Sequence, residues 1–105
     1  MLRVIGFYRW SEGATFDHVY YNSKHMQLTQ RLLAPHGLIR LESDRYLLSI
    51  PPVTGQIIAA SNAYFSSASI AQAAMAVVGI ALMADVANYT NLKPELHFVE
   101  VASHG

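Results

Sequence analysis

The chain has 105 residues, 52% of them hydrophobic and only 13% charged, with seven basic and seven acidic side chains and no cysteine. That length suits one domain, residues 1–105. The balanced, scattered charge leaves no basic stripe, which argues against nucleic acid as the main partner. The absence of cysteine excludes disulfides, a thiolate nucleophile and thiolate-bound metals or clusters.

An average soluble domain carries about 25% charged residues. This chain therefore holds more apolar surface than one small core hides, and a second copy is the expected cover. The opening residues Met1-Leu2-Arg3-Val4-Ile5-Gly6 lack the charged-then-apolar layout of a signal peptide. The longest uncharged apolar run, Ala73 to Ala84, is about half a membrane span. The expectation is a cytoplasmic homodimer that engages neither membrane nor nucleic acid.

Leu2 to Trp10 is rich in β-branched and aromatic residues and reads as the first strand. Leu2, Val4, Gly6, Tyr8 and Trp10 alternate with Arg3, Ile5, Phe7 and Arg9. Large apolar groups thus stand on both faces, so both should be covered. After a turn over Ser11 to Ala14, Thr15 is the expected cap of a helix with Asp17 in its first turn. The helix should run to about Ala34, where Pro35, His36 and Gly37 stop it. Tyr21, His25, Leu28 and Leu32 recur at helical spacing and share a face. That face is leucine in its C-terminal half and tyrosine and histidine in its N-terminal half.

Leu38 to Leu48 reads as a second strand, bent or bulged near Ser43 and Asp44. Pro51, Pro52 and Gly55 mark a loop, and Gln56 to Phe65 is the third strand. Ser69 and Gln72 form a capping-box signature for a second helix ending near Asp85 or Asn88. Its expected inner face is Ile70, Ala73, Ala74, Val77, Ala81 and Ala84. The opposite face, Met75, Val78, Leu82 and Met83, is apolar too, as in a helix buried on more than one side. Glu95 to Ala102 is the last strand. The order is β-α-β-β-α-β: an α+β, ferredoxin-like arrangement with a four-stranded antiparallel sheet and two helices.

Tyr21 and His25, one helical turn apart, are the leading candidates for chemistry. Near neutral pH a histidine takes or gives a proton, and a neighbouring tyrosine can orient it or bind a substrate oxygen. The same pair also suits simple packing. Asp85 ends an apolar helix where the dipole disfavours a carboxylate. It should therefore have a partner, and Arg9 and Lys93 offer the charge. Arg3 and Arg9 share a strand face and can alternatively pair with Glu42 or Glu100. The five histidines, His18, His25, His36, His97 and His104, show no i, i+4 pair, so no metal site is expected. No glycine-rich phosphate loop or Gly-x-Ser-x-Gly elbow is present, and neither a nucleotide cofactor nor a serine triad is expected.

The run Phe16-Asp17-His18-Val19-Tyr20-Tyr21-Asn22-Ser23-Lys24-His25 resembles the F-x-x-Y-Y-x-x-x-H helix of the EthD family, named for ethyl tert-butyl ether degradation. Gly37-Leu38, Ala63-Tyr64-Phe65 with Ser67, and Asp85-Val86-Ala87-Asn88-Tyr89-Thr90 resemble further segments of that family, in order and at matching spacing. The chain differs in having Gln27-Leu28 after His25 instead of a proline-containing step. The resemblance implies a dimeric α+β barrel, in which two sheets face each other under outer helices and a ligand sits between sheet and helix. It implies no cofactor, and it carries over His25, Asp85, Tyr21 and Tyr89 as site residues. The function it implies is binding of a small apolar molecule, accessory to a catabolic oxidation system such as that for ethyl tert-butyl ether. The alternative is a cofactor-free monooxygenase, isomerase or dehydratase using His25 for proton transfer with Asp85 beside it, and Tyr21, Tyr89 and Arg9 binding substrate.

Overall fold

Strand β1 (Leu2–Arg9) lies in the middle of the sheet, as its two apolar faces require. The computed structural model describes residues 1–47 and 51–105. The predicted end of the second strand at Leu48 lies outside them. The sheet is antiparallel with order β2-β3-β1-β4, formed by β2 (Arg40–Arg45), β3 (Ile57–Phe65) and β4 (Glu95–Glu100). This is the ferredoxin-like arrangement. On the face toward the helices, Leu2, Val4, Gly6 and Tyr8 stand opposite Phe65, Ala63, Ser61 and Ala59. No bulge interrupts β2 near Ser43 and Asp44, where it keeps unbroken register with β3. The irregularity falls instead between Tyr8 and Arg9.

Helix α1 is composite. It comprises a turn His18–Tyr20, a π-helical stretch Tyr21–His25 and an α-helical run Met26–Leu33, followed by a 3-10 turn Ala34–His36. Its cap is Asp17, which accepts from the Tyr20 N–H at 3.0 Å, and not Thr15. Thr15 is too early because Phe16 is still extended, bridged to Thr90. The π stretch adds one residue to a turn, so the buried stripe continues through Thr29 and Leu33 instead of Leu28 and Leu32.

Helix α2 (Ala68–Val86) is capped by Ser67, which accepts from the Ile70 N–H at 3.3 Å. Ser69, the expected cap, instead bonds the Ser67 hydroxyl. The helix is also turned from expectation: of its expected inner face only Ala74 is buried. Ala71, Ala74, Val78 and Val86 are buried, whereas Val77 and Ile80 are 66% and 85% exposed. A helix apolar all round has no periodic signal to choose its inner face, so the packing chooses. At its start, Gly37 has φ +92° and a Cβ there would lie 2.9 Å from the Ile70 side chain. Only glycine permits both that backbone and that approach. By length and composition α2 could cross a membrane, being longer than the Ala73–Ala84 run alone. Here it lies along the sheet.

The core is in two parts. Leu2, Val4, Leu33, Ala63, Phe65, Ala71, Ala74 and Val78 pack at one end, and Tyr8, Tyr21, Ile58, Ala59, Val86 and Tyr89 at the other. Gly6 and Ser61, directly opposite each other across β1 and β3, are the small residues of the sheet between them.

Candidate active site

Those small residues leave room. A cavity of about 430 Å³ lies between the inner sheet face and the helices. Val4, Leu33, Leu41, Ala63, Met75 and Leu82 give it apolar walls, Gly6 and Gly79 widen it, and Tyr8, His25, Thr29 and Ser61 supply its polar groups. Ile80, Met83, Val86, Pro94 and Leu96 complete the lining.

His25 is 7% exposed and sits at the end of the π stretch. Its Nδ1 is 2.8 Å from Asp85 Oδ2. The other carboxylate oxygen accepts from the Tyr20 hydroxyl at 2.8 Å and from Asn88 Nδ2 at 2.9 Å. Burial disfavours ionisation of Asp85, but the hydrogen bonds from His25, Asn88 and Tyr20 outweigh it and hold the carboxyl below its ordinary value. An ionised Asp85 can only accept, so Nδ1 carries a proton, and when the ring holds that proton alone Nε2 is the acceptor. The Tyr89 hydroxyl, 3.3 Å away, therefore donates to Nε2. The Tyr8 hydroxyl in turn donates to Tyr89. The result is one chain of hydrogen bonds from Asp85 through His25 and Tyr89 to Tyr8.

The aromatic surroundings are dry. Burial pushes the Tyr8 hydroxyl up to about 12 against the lowering effect of its bond to Tyr89. Burial first, then the neighbouring Tyr8, raises Tyr89 as well. Tyr21 stacks on the His25 ring with the planes 15° apart, and its buried hydroxyl has no hydrogen-bond partner among the described residues. Tyr21 thus holds the imidazole in plane and is raised chiefly by burial.

The predicted site residues separate into three groups. His25 and Asp85 are brought together, although the charge partners expected for Asp85 are elsewhere. Tyr21 and Tyr89 buttress His25 but do not line the cavity. Arg9 is not in the site. It lies on the opposite sheet face, paired with Glu95 at 2.7 Å and donating to the Gly55 carbonyl. Strand parity explains this, since Arg9 alternates with the inward Tyr8. Both His25 nitrogens are bonded to protein, which in a solid core would be a purely structural arrangement, but here the ring borders a cavity. Tyr8, Tyr20 and Ser61 were missed. The available signal for Tyr8 was a tyrosine on the inner parity of β1, two residues beyond a glycine.

The fold matches that of an EthD-like protein of Ralstonia eutropha with a TM-score of 0.83 and 28% identity, over 99% of this chain and 94% of that one. Over nearly its whole length the chain is similar to EthD-like proteins. An ethyl tert-butyl ether (EthD) family protein of Bacillus halodurans matches with a TM-score of 0.65 and 19% identity, over 97% of this chain and 99% of that one. A protein of Arabidopsis thaliana shares the fold with a TM-score of 0.70 and 8% identity, over 100% of this chain and 99% of that one. No family model and no curated protein matches this chain.

Proposed function

We propose that this EthD-like chain binds a small, largely apolar molecule between sheet and helices, and that it serves oxidative catabolism in the cytoplasm. The observation that carries the reading is the apolar-walled cavity of about 430 Å³ with His25 on its wall. Binding pockets typically measure about 300–1,000 Å³ and join apolar walls to a few placed polar groups. A small ether such as ethyl tert-butyl ether is one candidate, motivated by the name of the Bacillus halodurans relative. A panel of ethers, phenols and lactones tests it by thermal shift. A true ligand at a hundredfold excess over its Kd stabilises the folded state by about 2.7 kcal/mol. No shift with any member would defeat the reading.

The second reading, a cofactor-free isomerase, dehydratase or monooxygenase, is favoured by the carboxylate on the far nitrogen of His25. That is how an oriented general base is built. The same panel separates the two readings: a binding protein returns its compound unchanged, whereas an enzyme consumes it without an added cofactor.

The proposed assembly is a homodimer. Leu96 and Phe98 are about half exposed on β4, which is an unpaired edge of the sheet, and apolar edge strands are commonly covered by another chain. The outer sheet face adds Ile5 and Val99, beside Phe7 and Tyr64 under the side chains of Arg9 and Arg40. Sedimentation equilibrium should give twice the chain mass of 11.6 kDa. A monomer at micromolar concentration would overturn the assembly and leave the cavity reading standing.

A further inference from the structure

The hydrogen-bond chain continues past the histidine, and its far end, Tyr8, meets the cavity as the His25 ring does. We infer that the Tyr8 hydroxyl is the proton port of the site, and that the cavity takes an apolar molecule bearing one acidic hydroxyl, a phenol or an enol. The inference rests on the cavity reading above and adds the chemical class of the ligand and the route of its proton.

Both nitrogens of His25 are occupied, Nδ1 by Asp85 and Nε2 by Tyr89. Asp85 and Tyr89 do not line the cavity, whereas Tyr8 does. A ligand can touch the ring, but its proton reaches Nε2 through Tyr8 unless it displaces Tyr89. Tyr8 gives its own proton to the Tyr89 oxygen, which leaves its oxygen lone pairs available to accept one. Ser61 is on the same inner face, across from Gly6, and its hydroxyl can donate to the same ligand oxygen.

The step balances without a co-reactant. The ligand O–H bond breaks and its proton joins the Tyr8 oxygen. The Tyr8 proton passes to Tyr89, and the Tyr89 proton passes to His25 Nε2. The products are a phenolate or enolate in the cavity and an imidazolium paired with the Asp85 carboxylate, and no electron is transferred. Neither tyrosine is ionised at any stage of a concerted transfer, as befits hydroxyls that burial makes hard to ionise. Tyr8 and His25 are the catalytic residues of this scheme, Tyr89 the link and Asp85 the positioning residue.

The probe is para-nitrophenol, whose anion absorbs in the visible range, with para-nitroanisole as the same body lacking the acidic proton. Near the probe's own pKa, binding to the wild-type chain should raise the phenolate fraction. In Tyr8→Phe that bound phenolate signal should fall about tenfold, equivalent to about 1.4 kcal/mol, while the anisole binds as before. Tyr89→Phe, which removes the link without altering the lining, should give the same loss. If Tyr8→Phe perturbs the pocket and weakens the anisole too, Tyr89→Phe decides. A full phenolate signal in Tyr89→Phe, with loss only in His25→Gln, would show direct contact with the imidazole and overturn the port. Failure of both compounds to bind the wild-type chain would overturn the cavity reading and the port with it.

Discussion

Gly79→Leu should make the protein more stable and unable to bind. Gly79 lies inside α2 and lines the cavity, and a Cβ built there meets nothing within 4 Å. Glycine within a helix costs about 0.8–1.0 kcal/mol relative to alanine, and leucine is nearly as good a helix former as alanine. A gain of about 1 kcal/mol raises the melting temperature of a domain this size by about 4–8 °C. The leucine side chain also fills volume that a ligand would occupy. Calorimetry of the variant with and without the best panel compound is the measurement. A higher melting point and a vanished ligand shift are expected together. An undiminished shift would place the ligand elsewhere.

Asp85→Asn should move stability the other way. The carboxylate accepts from His25, Tyr20 and Asn88, and its side chain is 12% exposed. The amide cannot accept at both positions, so one donor is left facing another. Losing charge-assisted bonds at such a site costs about 2 kcal/mol, or about 10 °C in melting temperature. The pH dependence follows from the depressed carboxyl. Its contribution is fully present above the ordinary aspartate value of about 3.9, and it is lost as pH falls through the lower folded value. The gap between wild type and variant should therefore be widest above that ordinary value and close in stronger acid. Equal melting temperatures at neutral pH would remove Asp85 from its supporting role.

Most of the fold was legible because strands announce themselves by alternation. Leu2 to Arg9 and Ile57 to Phe65 carry β-branched or aromatic residues on both parities, and both became inner strands. Helix α2 was legible as an element but not in its facing, since a uniformly apolar helix carries no phase. The stripe of α1 was displaced from Leu28 and Leu32 to Thr29 and Leu33 because a periodicity of 3.6 assumes an uninterrupted α-helix. At the site, His25 and Asp85 were each identifiable, but their pairing was not. The helix dipole argument demanded a partner for Asp85 and pointed to cations, whereas the fold supplied a histidine, a tyrosine and an asparagine. By sequence Tyr8 belongs to an apolar strand, and its role depends on Tyr89, 81 positions away. No local pattern encodes that separation.

A π turn is a one-residue insertion preserved inside a helix. Losing one residue from Tyr21–His25 would let the segment relax to ordinary α-helix and would turn everything before the deletion by about 100° relative to everything after it. Tyr21 and the Asp17 cap would then no longer share an orientation with His25, though no other element need change. In heredity this is a three-base event, not a slow series of substitutions. Related chains can therefore have acquired or discarded this imidazole setting in one step, and helix length in this region is a sharper marker of shared chemistry than overall identity.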